Sequence, residues 1–98
     1  MVHELKASED LNTLIQKNKV FIDFYADWCG PCKMQKPVLE SFAKDHPALL
    51  ILKVNVDHFS ELAEQFGVLS IPTLFVYENG KEVYKKPGFH ALSQLENL

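Results

Sequence analysis

Val20-Phe21-Ile22-Asp23-Phe24-Tyr25-Ala26-Asp27-Trp28-Cys29-Gly30-Pro31-Cys32-Lys33 is the stretch that decides the fold. Its first seven residues form the most apolar run of the chain, rich in β-branched and aromatic side chains, which predicts a buried strand. Beyond Lys33, the residues Met34, Val38, Leu39 and Phe42 recur at helical spacing, with Pro37 interrupting them. Between strand and helix stand the only two cysteines and the only tryptophan.

That location carries chemistry of its own. Pro31 suits the first helical position, where its missing N–H would be unpaired anyway. Cys29 then lies just outside the helix, facing free backbone N–H groups and the positive end of the helix dipole. Both stabilise a thiolate and lower the thiol's pKa. Cys32 follows three residues on, on the same helical face, which brings the α-carbons within disulfide range. Lys33 adds a positive charge. Cys29 is thus the candidate nucleophile and Cys32 the resolving thiol.

Two other readings of the motif are weaker. A structural bridge closing so small a ring stabilises by roughly 2 kcal/mol, against about 3 for a fifteen-residue loop. A zinc site needs two more ligands, and His3, His46, His58 and His90 are scattered singly without ligand spacing. The Gly-Pro interior and the strand-to-helix setting favour redox chemistry.

Length and composition set the bounds. Ninety-eight residues allow one domain, 1–98, with a single modest core. Thirteen acidic residues against ten lysines and no arginine argue against nucleic acid as a partner. Two cysteines in one motif are no secreted disulfide framework. Met1-Val2-His3-Glu4-Leu5-Lys6 lacks the pattern of a signal peptide, and no apolar run approaches membrane-spanning length. The expectation is a cytoplasmic monomer without a membrane partner or a bound metal.

Along the chain, Val2 to Leu5 predicts a short edge strand. Ser8 is the expected N-cap of a helix whose apolar stripe is Leu11, Leu14 and Ile15. The strand 20–26 and a helix to about Asp45, kinked at Pro37, come next. Leu49 to Val56 reads as a second apolar strand, interrupted by Lys53 and Asn55. Phe59, Leu62, Ala63 and Phe66 line a short helix stopping at Gly67. Asn79-Gly80 between Thr73–Tyr77 and Val83-Tyr84 signals a type I′ hairpin. Ala91, Leu92, Leu95 and Leu98 suggest a last helix of about two turns. The order βαβαβα then ββα gives an α/β sandwich, with helices on both faces of a mixed five-stranded sheet.

Several separated motifs stand in register: Asp23-Phe24-Tyr25-Ala26-Asp27 before Trp28-Cys29-Gly30-Pro31-Cys32-Lys33-Met34, then Pro37, Lys53, Ile71-Pro72-Thr73, Asn79-Gly80 and Gly88. In these the whole chain resembles the thioredoxin family. The resemblance implies strand order 1-3-2-4-5 with four helices. It implies a general protein-disulfide reductase that acts on disulfides of other proteins. It also implies electrons from NADPH through a thioredoxin reductase, with no cofactor bound to the chain itself.

Site residues carry over in the same way. A mid-strand Asp23 is costly to ionise, so burial should raise its pKa. In thioredoxins the matching Asp lies behind the second cysteine, which implies a base for Cys32. Lys53, otherwise a snorkelling strand lysine, matches a residue that points toward that Asp and tunes it. An X-Pro bond is cis only about 5–6% of the time, yet the family's proline at position 72 is cis and stands beside the disulfide. Ile71 and Pro72 would present backbone to an extended target segment. Trp28, Gly30, Pro31 and Gly88 would complete that surface. Tyr25 in place of a tryptophan, and Pro87 and Phe89 around Gly88, depart from the family's commoner residues, so the groove's edge should differ. Two alternatives stay open. One is an oxidase- or isomerase-like domain of a secretory compartment, which usually carries Gly-His inside the motif. The other is a redox-independent binding module.

Overall fold

The computed structural model describes residues 1–98, and it is built around the apolar run that the sequence singles out. The elements are β1 (Val2–Glu4), α1 (Leu11–Leu14), β2 (Lys19–Tyr25), α2 (Gly30–Asp45), β3 (Leu50–Asn55), α3 (Ser60–Gln65), β4 (Thr73–Glu78), β5 (Lys81–Pro87) and α4 (Leu92–Glu96). They form one five-stranded sheet in the order β1-β3-β2-β4-β5. β1, β3 and β2 run parallel, whereas β4 and β5 are antiparallel to their neighbours. The expected architecture and strand order are those observed.

Alternation along β2 divides the interior. Val20, Ile22 and Phe24 point to one face, where they pack with Leu52, Val54, Phe75, Leu11 of α1 and Ala63 of α3. Phe21 points to the other, with Ile51, Leu74, Val76, Leu39 and Phe42 of α2, and Leu95 of α4. Each fully buried Leu, Ile or Phe contributes roughly 1.5–3 kcal/mol, so both layers bind helices firmly to the sheet. The face under α2 also takes the next alternating positions, Asp23 and Tyr25 on β2. A carboxylate is thereby committed to the interior.

The β4–β5 turn is as the sequence suggests. Asn79 and Gly80 have φ of 52° and 82°, the pair of left-handed conformations that a type I′ turn requires. α2 runs through Pro37, which leaves the carbonyl of Lys33 without the usual amide donor. Its buried stripe is Cys32, Gln35, Leu39 and Phe42, while Met34 is exposed, contrary to the sequence-based stripe. α4 spans five residues rather than two full turns, and its entry is held by the Ala91 amide donating to Gln94 Oε1 at 2.7 Å.

The first helix differs more. It starts at Leu11, and its N-cap is Asp10, whose Oδ1 accepts from the Asn12 amide at 3.1 Å. Thr13 Oγ1 donates to the other carboxylate oxygen at 3.0 Å. Ser8 cannot cap it, because Lys6 to Glu9 already form a separate turn. There the Glu9 amide donates to the Lys6 carbonyl, and the Glu9 carboxylate accepts from the Lys6 amide at 2.8 Å. Replacing Asp10 with Ala should therefore cost about 1 kcal/mol, and Ser8→Ala less than about 0.5. Urea melts of the two variants check the assignment; the opposite ranking would return the cap to Ser8.

Candidate active site

Register brings four distant segments to the carboxyl end of β2. Phe24 pairs with Thr73 of β4, and Thr73 with Pro87 of β5, so Ile71-Pro72 and Gly88 lie at the same end of the sheet as Cys29. On the other side the Val56 amide donates to the Tyr25 carbonyl at 2.8 Å, placing the residues after β3 there too. None of these neighbours is close to another in sequence. Only pairing assembles them.

Cys29 occupies the N-cap of α2 in an extended conformation, and its Sγ accepts from the Cys32 amide at 3.2 Å. Gly30 is the first helical residue and Pro31 the second, one position later than expected; at either position the missing proline N–H costs no helical bond. Cys29 and Cys32 are joined in a disulfide, with their α-carbons 5.2 Å apart. Both are buried against Ala26, with Tyr25, Val56 and Ile71 packed around them. Cys29 Sγ lies 3.8 Å from the Ile71 carbonyl oxygen. The pair therefore presents one sulfur beside the backbone that precedes Pro72. The Ile71–Pro72 peptide bond is cis.

The two flanks of the disulfide differ. On one side lies an apolar groove of about 430 Å³ lined by Trp28, Val56, Ala63, Val68, Leu69 and Ile71. Trp28 is 69% exposed, and its indole Nε1 donates to Asp57 Oδ2 at 2.9 Å. Asp57 is in turn fixed by its amide donating to Asn55 Oδ1 at 2.9 Å. On the other side is a polar recess of about 400 Å³, with Cys32, Lys33, Lys36, Lys53, Tyr25 and Glu4 on its walls.

Asp23 sits under the α2 face of the sheet, 1% exposed, and its Oδ2 has no hydrogen-bond partner. Burial pushes its pKa up from the ordinary carboxylate range to about 7; nearby Lys53 lowers it and Glu4 raises it. Lys53 is its register neighbour on β3 but forms none of the chain's ion pairs. Its ammonium instead lies 4.1 Å from the centre of the Tyr25 ring, whose hydroxyl donates to Glu4 Oε1 at 2.7 Å. Lys53 therefore acts on Asp23 through space, and the carboxyl keeps a pKa near neutrality.

The family model named Thioredoxin matches residues 2–98. The chain belongs to the thioredoxin family. It is 50% identical over 92 residues to a thioredoxin of Chlamydia caviae, covering 94% of this chain and 90% of that one. It is 40% identical over 89 residues to thioredoxin-1 of Saccharomyces cerevisiae, covering 90% and 86% of the two chains. Among solved structures, the oxidised thioredoxin of Plasmodium falciparum superposes with a TM-score of 0.86 at 34% identity, over 99% of this chain and 93% of that one. Oxidised mitochondrial thioredoxin 3 of S. cerevisiae gives 0.87 at 32% identity, over 98% and 91%. With a thioredoxin-type cysteine pair at its helix N-terminus, the chain is a dithiol–disulfide oxidoreductase that reduces protein disulfides. No helix is long and apolar enough to cross a membrane.

Sequence reasoning missed Asp57, Glu4, Gln35 and His90. Asp57 and Glu4 look like ordinary surface acids, and only the fold sets them against Trp28 and Tyr25. Gln35 did carry a signal, since it stands three residues after Cys32 on what becomes a buried stripe. All six buried polar residues, Asp23, Gln35, Lys53, Asn55, Thr73 and His90, belong to the site segments or to the elements directly behind them.

Asp23 makes stability depend on pH with a definite sign. Between its unfolded value of 3.8 and its folded value of about 7, the folded state binds more protons than the unfolded state. Stability therefore falls as pH rises through that window, and the loss is complete above it. A shift of about 3 units corresponds to roughly 4 kcal/mol as an upper figure. Asp23→Ala should accordingly be more stable than the parent at pH 8, by about 2–3 kcal/mol after the cavity term. The advantage should vanish toward pH 4. Denaturant melts at both pH values measure it, and equal stability at pH 8 would rule it out.

Proposed function

We propose that Cys29 is the attacking thiolate and Cys32 the resolving thiol of this reductase. The observation that carries the assignment is the position of Cys29 Sγ at the N-cap of α2, accepting the Cys32 amide. In the reduced state that amide and the helix dipole stabilise negative charge on Cys29, whereas Cys32 lies inside the first turn. Cys29 thiolate attacks one sulfur of a target disulfide; a mixed disulfide forms and the target's other sulfur leaves as thiolate and takes up a proton. Cys32 then gives its proton to Asp23 and attacks Cys29 Sγ. The second target sulfur departs, two electrons have passed to the target, and the Cys29–Cys32 disulfide remains. A carboxyl with a pKa near 7 is suited to exchange that proton at neutral pH, and Lys53 tunes it.

Target segments bind across Trp28, Gly30, Pro31, Ile71, Pro72 and Gly88. A chain extended along Ile71 would find the backbone carbonyl beside Cys29 Sγ, and the exposed indole would cover the reacting sulfurs. Reduction of the disulfide draws electrons from NADPH through a thioredoxin reductase, with no cofactor held by the chain. The protein works as a monomer in the cytoplasm, in electron transport to protein thiols.

In the reduced protein, iodoacetamide at neutral pH should modify Cys29 far faster than Cys32. Cys32→Ser should accumulate stable mixed disulfides with protein targets, because resolution is lost. Peptide mapping after brief alkylation decides the order, and Cys32 labelled first would overturn it. Turbidity from reduction of insulin by the parent protein separates turnover from mere binding.

A further inference from the structure

The loop after β5 departs from a plain hydrophobic closure. His90 is 2% exposed, although it lies only two residues beyond the exposed Gly88 and next to Phe89. Every polar atom of its side chain is engaged. Nδ1 lies 3.0 Å from the Gly88 carbonyl oxygen, which can only accept, so Nδ1 carries the proton. Nε2 is left to accept from the Tyr84 hydroxyl at 2.8 Å. Burial holds the imidazole pKa below the ordinary histidine value, which keeps this neutral tautomer at neutral pH.

The backbone of His90 is pinned as well. Its amide donates to Gln35 Oε1 at 2.7 Å, and its carbonyl accepts from Gln35 Nε2 at 2.9 Å. Gln35 lies on α2, three residues after Cys32 and on the same buried stripe. Gly88 in turn donates its amide to the Pro72 carbonyl at 2.7 Å. Its φ of +100° is a left-handed conformation that a side chain would resist. A continuous set of hydrogen bonds thus runs from α2, through Gln35 and His90, to Gly88 and Pro72. Phe89 rides on the held segment and stays 39% exposed.

We propose that His90 is a positioning residue for target recognition: its Nδ1–H bond to Gly88 fixes the 88–89 backbone as one wall of the target groove. The inference rests on the reading of Gly88 as part of the target surface. His90 itself touches neither sulfur nor target. Its effect is therefore confined to targets large enough to reach the loop, and reaction of the cysteine pair with a small disulfide does not depend on it.

The test compares rate constants of the pre-reduced protein with two probes, insulin and a small symmetric aromatic disulfide. His90→Leu should slow insulin reduction roughly three- to tenfold, the worth of one hydrogen bond, with the small disulfide unaffected. Asn and Gln separate the bond from the volume. The amide of Asn reaches the place of Nδ1 and can still donate to Gly88, so His90→Asn should reduce insulin nearly as fast as the parent. Gln reaches the place of Nε2 instead, so His90→Gln should behave like Leu. The Asn and Gln variants keep a polar side chain and carry the comparison even where Leu compromises folding, which melts would show. Equal insulin rates in the Asn and Gln variants, or equal slowing of both probes, would overturn the proposal. A parent protein inert toward insulin but active on the small disulfide would instead remove the reading of the groove on which it stands.

Discussion

The structure depends on β2 being enclosed from every direction. It is hydrogen-bonded to β3 on one edge and β4 on the other, and apolar layers cover both of its faces. A strand held in this way cannot slip by one residue without sending Phe21 and Asp23 to the wrong face, along with Val20, Ile22 and Phe24. Its carboxyl end is therefore a fixed point, and Cys29 is delivered there four residues later. Everything else in the site is positioned relative to that end.

Two opposite uses of the interior meet there. Toward the middle of the sheet the layers are apolar and stabilise the fold. At the carboxyl end of β2 and β3, the α2 side holds Asp23, Lys53 and Asn55 in neighbouring registers. Burying these groups is unfavourable, and Asp23 Oδ2 is left without a partner. The cost is concentrated at that end of the sheet, in a carboxyl whose pKa burial raises to about 7. The Tyr25–Glu4 pair contributes by giving the Lys53 ammonium an aromatic face to rest on. An ion pair between Lys53 and Asp23 would hold that carboxyl ionised and pull its pKa down further.

The surroundings of the sulfurs follow the same economy. Trp28 is exposed yet tethered by Asp57, so a large apolar group is available without being free to collapse onto the groove. Leu69, 98% exposed on the same flank, extends the apolar rim. Beside Pro72 the loop at Gly88 is fixed by the buried polar side chains of Gln35 and His90 as well as by backbone pairing.

Much of this was written in local sequence. The strand–motif–helix run, the Asn79-Gly80 turn and the apolar run of β3 each follow from short-range rules, and together they gave the architecture and the two thiols. Local rules failed where partners compete: Ser8 lost the cap because Glu9 was already engaged with Lys6, and Met34 proved exposed because packing rotated Gln35 inward. The pairing of Trp28 with Asp57, of Tyr25 with Glu4, and of Gln35 with His90 joins residues separated by 29, 21 and 55 positions. No periodicity encodes such contacts. The sequence by itself determined which groups could react and which strand would be buried. Only the tertiary structure decided which polar groups would stand beside them, because strand register and helix rotation are set by packing of the whole core.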